Sequence, residues 1–308
     1  MKGDIPLVDL SNPQSEAESL GINVGGGIIG PGSRVEEQVL NYLTMPKEMD
    51  SFDMPVLPEP EEMSDHPAVL AVLENLQKAL DLKSQLKLLD ESSYISLEEL
   101  NSKELSLLYQ TLGDGEVAAM LAADKDHEKI RIQETILAGV WWLQKVNANN
   151  EIVSQWLEVG AIPSDVQIRA EKDLGDLHFN SDELPKDTLN AGPVIFELLD
   201  KAGEHQQNPR SQPHVVNLSL LPFSPEDHLF LYERLGHGKV SILSRGYGNC
   251  RITSTLVAGV WRVQYFNSTD QLILDTLEVI GVPQVACAAI EDIEDSAERL
   301  REIHEALI

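Results

Sequence analysis

Residues about 66 to 165 recur as residues about 189 to 285, displaced first by about 123 positions and later by about 120. Self-similarity sustained over so long a stretch predicts two copies of one structural unit. Each copy opens with a helix: Val69, Val72, Leu73, Leu76 and Leu80 fall on one apolar face. Val72, Leu73, Glu74, Leu76, Lys78 and Ala79 read opposite Ile195, Phe196, Glu197, Leu199, Lys201 and Ala202. A short β-prone segment follows in each copy, Ser93 to Ile95 and Val215 to Leu218. Asn101 and Ser224 then stand as capping residues with acids in the next turn, which predicts a second helix. That helix carries Leu107, Leu108 and Tyr109 opposite Phe230, Leu231 and Tyr232, and stops at Leu112 to Gly115 and Leu235 to Gly238.

Beyond the glycines the hydrophobic period becomes two, the signature of strands. The strongest match in the repeat is Ala138, Gly139, Val140 and Trp141 with Ala258, Gly259, Val260 and Trp261. Asn147 to Asn150 and Asn267 to Asp270 are turn residues of a hairpin, and the match runs on to Pro163 and Pro283. The expected class is α+β: two tandem copies of a unit with two helices on an antiparallel sheet of about four strands. Trp141 and Trp142 point to opposite faces of a strand, so part of the first sheet should be buried against the other copy or a partner.

The predicted organisation is an extended Gly/Pro-rich arm over 1–64, the first repeat over 65–166, an acidic linker over 167–188, and the second repeat over 189–308. A closing helix from Ser296 should bury Leu300, Ile303 and Leu307. Within the arm, Gly25 to Gly30 formally fits a dinucleotide fingerprint, but no strand precedes it, Pro31 opposes a helix start and no βαβ unit surrounds it.

Charge narrows the partners. With 23 Lys+Arg against 51 Asp+Glu the net charge is −28, which repels nucleic acid and anionic membranes. The acidity reads either as solubility or a saline habitat, or as complementarity to a cationic segment. No apolar run is long enough to span a bilayer, and Met1 to Asp4 lacks a secretory pattern, so no membrane insertion and a cytoplasmic location are expected. The eight histidines are scattered singly, which predicts no protein-held metal and no cofactor. No nucleophile is paired with a base, so no catalytic residue is assigned and an enzyme is not expected.

One segment departs from its repeat partner. Ser244, Arg245, Gly246, Tyr247, Gly248, Asn249, Cys250 and Arg251 stand where the first copy has the polar run Ala123 to Glu128. Two readings stay open. In one, the arginines lower the pKa of Cys250 and hold a thiolate able to meet a soft metal or a cluster-bearing partner. In the other, the glycines support a β-hairpin whose small Cys250 faces inward. Cys287, in an Ala-rich run, reads as core.

Gly246 to Thr253, Val260 to Ser268 and Asp295 to Leu300 resemble the C-terminal signature of the HupH/HyaF family of hydrogenase expression/formation proteins. The arm is similar too, through Gly30 to Ser33 and Tyr42 to Met49. The resemblance covers almost the whole chain, and the first repeat is the more diverged copy. It implies an accessory protein without enzymatic activity that assists maturation of the iron-sulfur small subunit of a nickel-iron uptake hydrogenase before twin-arginine export. The partners implied are the small-subunit precursor and other maturation proteins. Arg245, Gly246, Tyr247, Gly248, Asn249, Cys250 and Arg251 are the partner-binding candidates. The alternative is an iron-sulfur or thiol redox carrier using Cys250, which would need ligands from a second chain because two cysteines cannot complete a cluster.

Overall fold

The computed structural model describes residues 57–87, 92–124, 127–171, 188–209, 211–246 and 248–307. Most of the expected arm, most of the expected acidic linker, and Tyr247 lie outside the described residues. In chain order the elements are α1 (Pro60–Ser64), α2 (Pro67–Leu86), β1 (Ser93–Ser96), α3 (Ser102–Leu112) and β2 (Val117–Leu121). Then come β3 (Lys129–Glu134), β4 (Val140–Val146), β5 (Ile152–Val159) and α4 (Ser164–Glu171). The second half holds α5 (Ala191–Gln207), β6 (His214–Asn217), α6 (Pro225–Leu235), β7 (Val240–Ser244), β8 (Asn249–Ser254), β9 (Val260–Phe266), β10 (Leu272–Val279) and α7 (Ile290–Leu307). No helix of the described residues is long and apolar enough to cross a membrane.

The fold is α+β, but the expected pair of four-stranded sheets is replaced by one sheet of ten strands in the order β1-β5-β4-β3-β2-β7-β8-β9-β10-β6. Every pairing is antiparallel. The β-prone segments read in each copy join the sheet, and the pairing between the copies was not legible in the repeat. The four-residue segments β1 and β6 are outer strands, giving five strands to each half. The seam is β2 against β7, where Val117 to Leu121 pair with Ser244 to Val240. A repeat reveals what each unit contains, whereas pairing between units depends on edge backbone groups that carry no sequence mark.

Alternation divides the apolar residues between two faces. One face bears two helical layers. Under α2, α3 and α7, Val140, Trp142, Leu157 and Val159 are buried with Leu73, Leu76, Leu108 and Leu300. Under α5 and α6, Val260, Leu277 and Val279 are buried with Ile195, Leu198, Phe230 and Leu231. The opposite face is a single core common to both halves, formed by Ile132, Trp141, Leu143, Ile242, Ile252, Trp261 and Val263 and covered by Ile162, Val166, Ala170, Val282 and Ala286. Trp141 and Trp142 are therefore both buried inside the chain, one in each layer.

Three further features differ from the sequence reading. The buried positions of the first helices match at a spacing one residue shorter than expected: Val69, Val72, Leu73, Leu76 and Leu80 correspond to Ala191, Val194, Ile195, Leu198 and Ala202. In the sequence alignment Glu74 and Lys78 stand opposite Glu197 and Lys201, yet three of these four residues are exposed and so are not constrained by the core. Residues 164–171, partly assigned to the linker, form α4, and its Arg169 is almost wholly buried. Arg169 donates to the carbonyls of Ala122 and Glu128, both at 2.6 Å. At the end of the expected arm, α1 places Met63 in the first core with no exposure.

The repeated Ala-Gly-Val-Trp motif has a physical reason. Gly139 and Gly259 take φ of +80° and +75° in the β3–β4 and β8–β9 turns, a backbone region that L side chains resist. The following tryptophans fasten strands to chain beyond the sheet: the Trp141 indole donates to Gly160 O at 2.9 Å, and that of Trp261 to Ile280 O and Gly281 O at 3.1 and 3.0 Å.

Candidate functional site

The segment singled out by its departure from the repeat is the β7–β8 hairpin. Arg245 and Gly246 are exposed at its tip, Gly248 takes φ of +95°, and Asn249 and Arg251 are half-buried. Gly246 lies against the carboxylate of Glu116, where a Cβ would come within 1.9 Å of Oε2. The Arg245 N–H donates to Glu116 O at 3.0 Å, so the tip is held against the strand entering β2. Gly246 is thus favoured by a close approach of the Glu116 carboxylate from the other half, and Gly248 by its positive φ.

Strand parity separates Cys250 from the arginines that flank it in sequence. Cys250 points into the core common to both halves at 2% exposure, whereas Arg251 points to the helix-bearing face with its guanidinium 5.6 Å from the ring centre of Phe266. Burial pushes the Cys250 thiol up to about 12, against a smaller opposing effect from its hydrogen bond with Tyr265. The expectation of an arginine-stabilised thiolate is therefore corrected: burial decides the pKa and the adjacent cations are on other surfaces. Cys287 is likewise pushed up by burial, to about 11. Among the described residues no group of three or more His, Cys, Asp or Glu could hold a metal ion.

Between the helical layers, the middle strands carry a polar band. Arg131 pairs across β3–β4 with Gln144, and Arg251 across β8–β9 with Gln264. The Arg131 Nε is buried and makes no hydrogen bond with a described residue. Beside the second pair, Arg262 forms a two-bonded ion pair with buried Asp275 at 3.0 and 2.6 Å. A cavity of about 30 Å³ lined by His228, Tyr232, His237, Thr253 and Arg262 adjoins it, room for about one water. Desolvation and then the Arg262 charge hold His228 below the usual histidine range, against smaller opposing effects from Asp275 and Asp227.

Two buried carboxylates escaped the sequence reading. Glu134, 7% exposed, accepts from the Gly139 N–H at 3.2 Å. Burial raises its pKa to about 7 against backbone donation from Gly139 and Val117, with the carboxylates of Glu116 and Asp292 adding to the rise. Asp227, fully buried, accepts from the N–H groups of Leu189, Asn190 and Ala191 at 2.8, 2.9 and 2.9 Å and from Ser224 at 3.0 Å. Burial acts to raise its pKa, but these four donors outweigh it and hold the carboxyl below the usual range. Asp227 closes the capping box of α6 and also joins the start of α5 to it. The capping signal at Ser224 was legible; the second set of donors was not, because they lie more than thirty residues upstream.

A cleft of about 430 Å³ lies between α2 and the outer strand β1, lined by Ala68, Ala71, Asn75, Ser93, Ile95 and Glu99 among others. Tyr94, 62% exposed, stacks on Trp156 across the strand pair with ring centres 5.9 Å apart.

Comparison with known proteins accords with this architecture. The family model for the HupH hydrogenase expression protein C-terminal conserved region matches the chain twice, over residues 67–185 and 188–307. Hydrogenase expression/formation protein HupQ of Azotobacter chroococcum is 55% identical over 278 residues, 90% of this chain and 95% of the relative. HoxQ of Azotobacter vinelandii is 54% identical over the same coverage. Hydrogenase-1 operon protein HyaF of Escherichia coli is 30% identical over 285 residues, 90% of this chain and 94% of the relative. The solved structure of the hydrogenase expression protein HupH from Thiobacillus denitrificans is 25% identical, covers 37% of this chain and 92% of its own, and has a TM-score of 0.34. With matches over nearly its full length and that of its relatives, the chain belongs to the HupH/HoxQ/HyaF family of hydrogenase expression/formation proteins, accessory proteins of hydrogenase maturation.

Proposed function

We propose that this protein is a cytoplasmic assembly chaperone for the iron-sulfur small subunit of a nickel-iron uptake hydrogenase, binding the immature subunit before export and working alongside other maturation proteins. The observation that carries the reading is the net charge of −28 on a chain of this family. Such a surface attracts a cationic segment, steers it into encounter, and repels nucleic acid and anionic lipid. A leader bearing paired arginines supplies that charge on the immature subunit alone, which gives the chaperone a means to tell precursor from finished protein.

The chemistry of the thiols fits binding without turnover. With Cys250 buried and its pKa near 12, the thiol is protonated at neutral pH and shielded from solvent, which disfavours a redox or cluster-carrying role for it. Arg245, Gly246 and Gly248 of the β7–β8 hairpin are candidate contacts because they are exposed, and the Arg245 N–H is held by Glu116 O of the first half.

The test is an anaerobic pull-down with the cognate small subunit, comparing the precursor that keeps its leader with a leaderless form. Selective capture of the precursor is expected. Capture of neither form refutes the reading.

A further inference from the structure

We infer that the cleft between β1 and α2 receives an extended, basic segment of the small-subunit precursor, which adds to the sheet as an eleventh strand beside β1. This rests on the partner proposed above and names the surface that partner uses.

The ten-stranded sheet ends in two edges, and they are built differently. At the β1 edge the Leu97 N–H donates to Gln155 O of the β5 segment. With a period of two, Ser93 and Ile95 also turn their backbone groups inward, leaving the N–H and C=O of Tyr94 and Ser96 on the open side. Among the described residues no second strand pairs with β1. Natural sheets blunt such edges by shortness, lysine, proline or a bulge, and the four residues Ser-Tyr-Ile-Ser supply shortness alone.

The β6 edge shows what a blunted edge looks like on the same scaffold. His214 stands opposite Val279 as Ser93 stands opposite Val159, and Glu197 occupies in α5 the place of Asn75 in α2. His214 Nε2 lies 2.7 Å from Glu197 Oε1, so a side-chain bridge spans strand and helix. In the first half no hydrogen bond joins Ser93 to Asn75 among the described residues, and both line the cleft of about 430 Å³. Ile95, with Ala68 and Ala71, gives it apolar lining against which the inward side chains of an added strand would pack.

Charge selects the occupant. Glu99 lines the cleft, Glu98 adjoins it, and Glu74 is exposed one position before Asn75 on α2. None of these three carboxylates forms an ion pair with a described residue, and they outnumber the neighbouring cation Lys78. A second copy of this chain would bring the same acids against each other. A cationic extended segment with apolar residues at alternate positions meets both the floor and the rim.

The test imports the bridge of the other edge. The double variant Ser93→His, Asn75→Glu changes a half-buried and an exposed residue in the full-length protein, and circular dichroism and urea unfolding check that the fold is kept. Binding of the leader-bearing precursor is expected to weaken at least tenfold, and the amides of Tyr94 and Ser96 in the wild type to gain hydrogen-exchange protection when precursor is added. A fold-retaining variant with wild-type affinity, or unchanged exchange at Tyr94 and Ser96, overturns the site while leaving the chaperone reading in place. Absence of any precursor binding by the wild type overturns both. Concentration-dependent dimerisation of the wild type that the double variant abolishes assigns the edge to a second copy and overturns the inference.

Discussion

Replacing Glu134 with Gln should make the protein less dependent on pH and more stable in mild alkali. Glu134 is 7% exposed, and burial, with Glu116 and Asp292 nearby, raises its pKa from an ordinary 4.5 to about 7. The folded state then holds this proton more tightly than the unfolded chain, so stability is greatest when the group is protonated and declines as pH rises from about 4.5 to about 7. At about 1.4 kcal/mol per pH unit of difference, the full cost of ionisation is about 3 kcal/mol, and about 2 kcal/mol of it falls between roughly pH 5.5 and 8. Glutamine keeps an acceptor for the Gly139 N–H and carries no charge. Urea unfolding of both proteins across that range isolates the effect, because all other titrating groups cancel in the difference. Glu134→Gln is expected to gain about 2 kcal/mol on the wild type between the lower and the upper pH. A stability difference that stays constant across the range refutes the assignment of a buried, raised carboxyl.

Asp227→Ala removes one carboxylate from four backbone donors in a fully buried position and should cost about 3 kcal/mol or more, read as a lowered urea midpoint. Cys250 should resist iodoacetamide at pH 8 in the folded protein and react at the ordinary rate after unfolding, since burial both hides the thiol and holds its pKa near 12; rapid native labelling, located by mass spectrometry, contradicts this. Gly259→Ala, at φ +75° with a Cβ arriving 3.0 Å from the His205 ring, should destabilise by about 1–2 kcal/mol in thermal unfolding.

Elements with a local cause were legible in the sequence. The capping residues Asn101 and Ser224 begin α3 and α6, with the capping boxes that their spacing suggests. Leu300, Ile303 and Leu307 are buried along α7 as their periodicity requires, although the helix starts earlier, at Ile290. Asn147 and Asn267 each close a hairpin by accepting from backbone N–H groups two and four residues ahead. What depended on distant pairing was hidden. Nothing local marks Val117 to Leu121 and Val240 to Ser244 as each other's partners, and Arg169 is buried only because two carbonyls of the β2–β3 loop await it. Cys250 shows the same limit at the candidate site: adjacency to Arg251 in sequence suggested an electrostatic coupling that alternation in β8 removes.

The central claim, that this acidic accessory protein reads the immature small subunit through its charge, is tested most directly by anaerobic calorimetric titration of the full-length protein with the leader-bearing and leaderless small subunit, each at low and at high salt. The account predicts tighter binding of the leader-bearing form, with an advantage that shrinks as salt screens the surface charge. Equal affinity for the two forms, or a preference insensitive to salt, would contradict it.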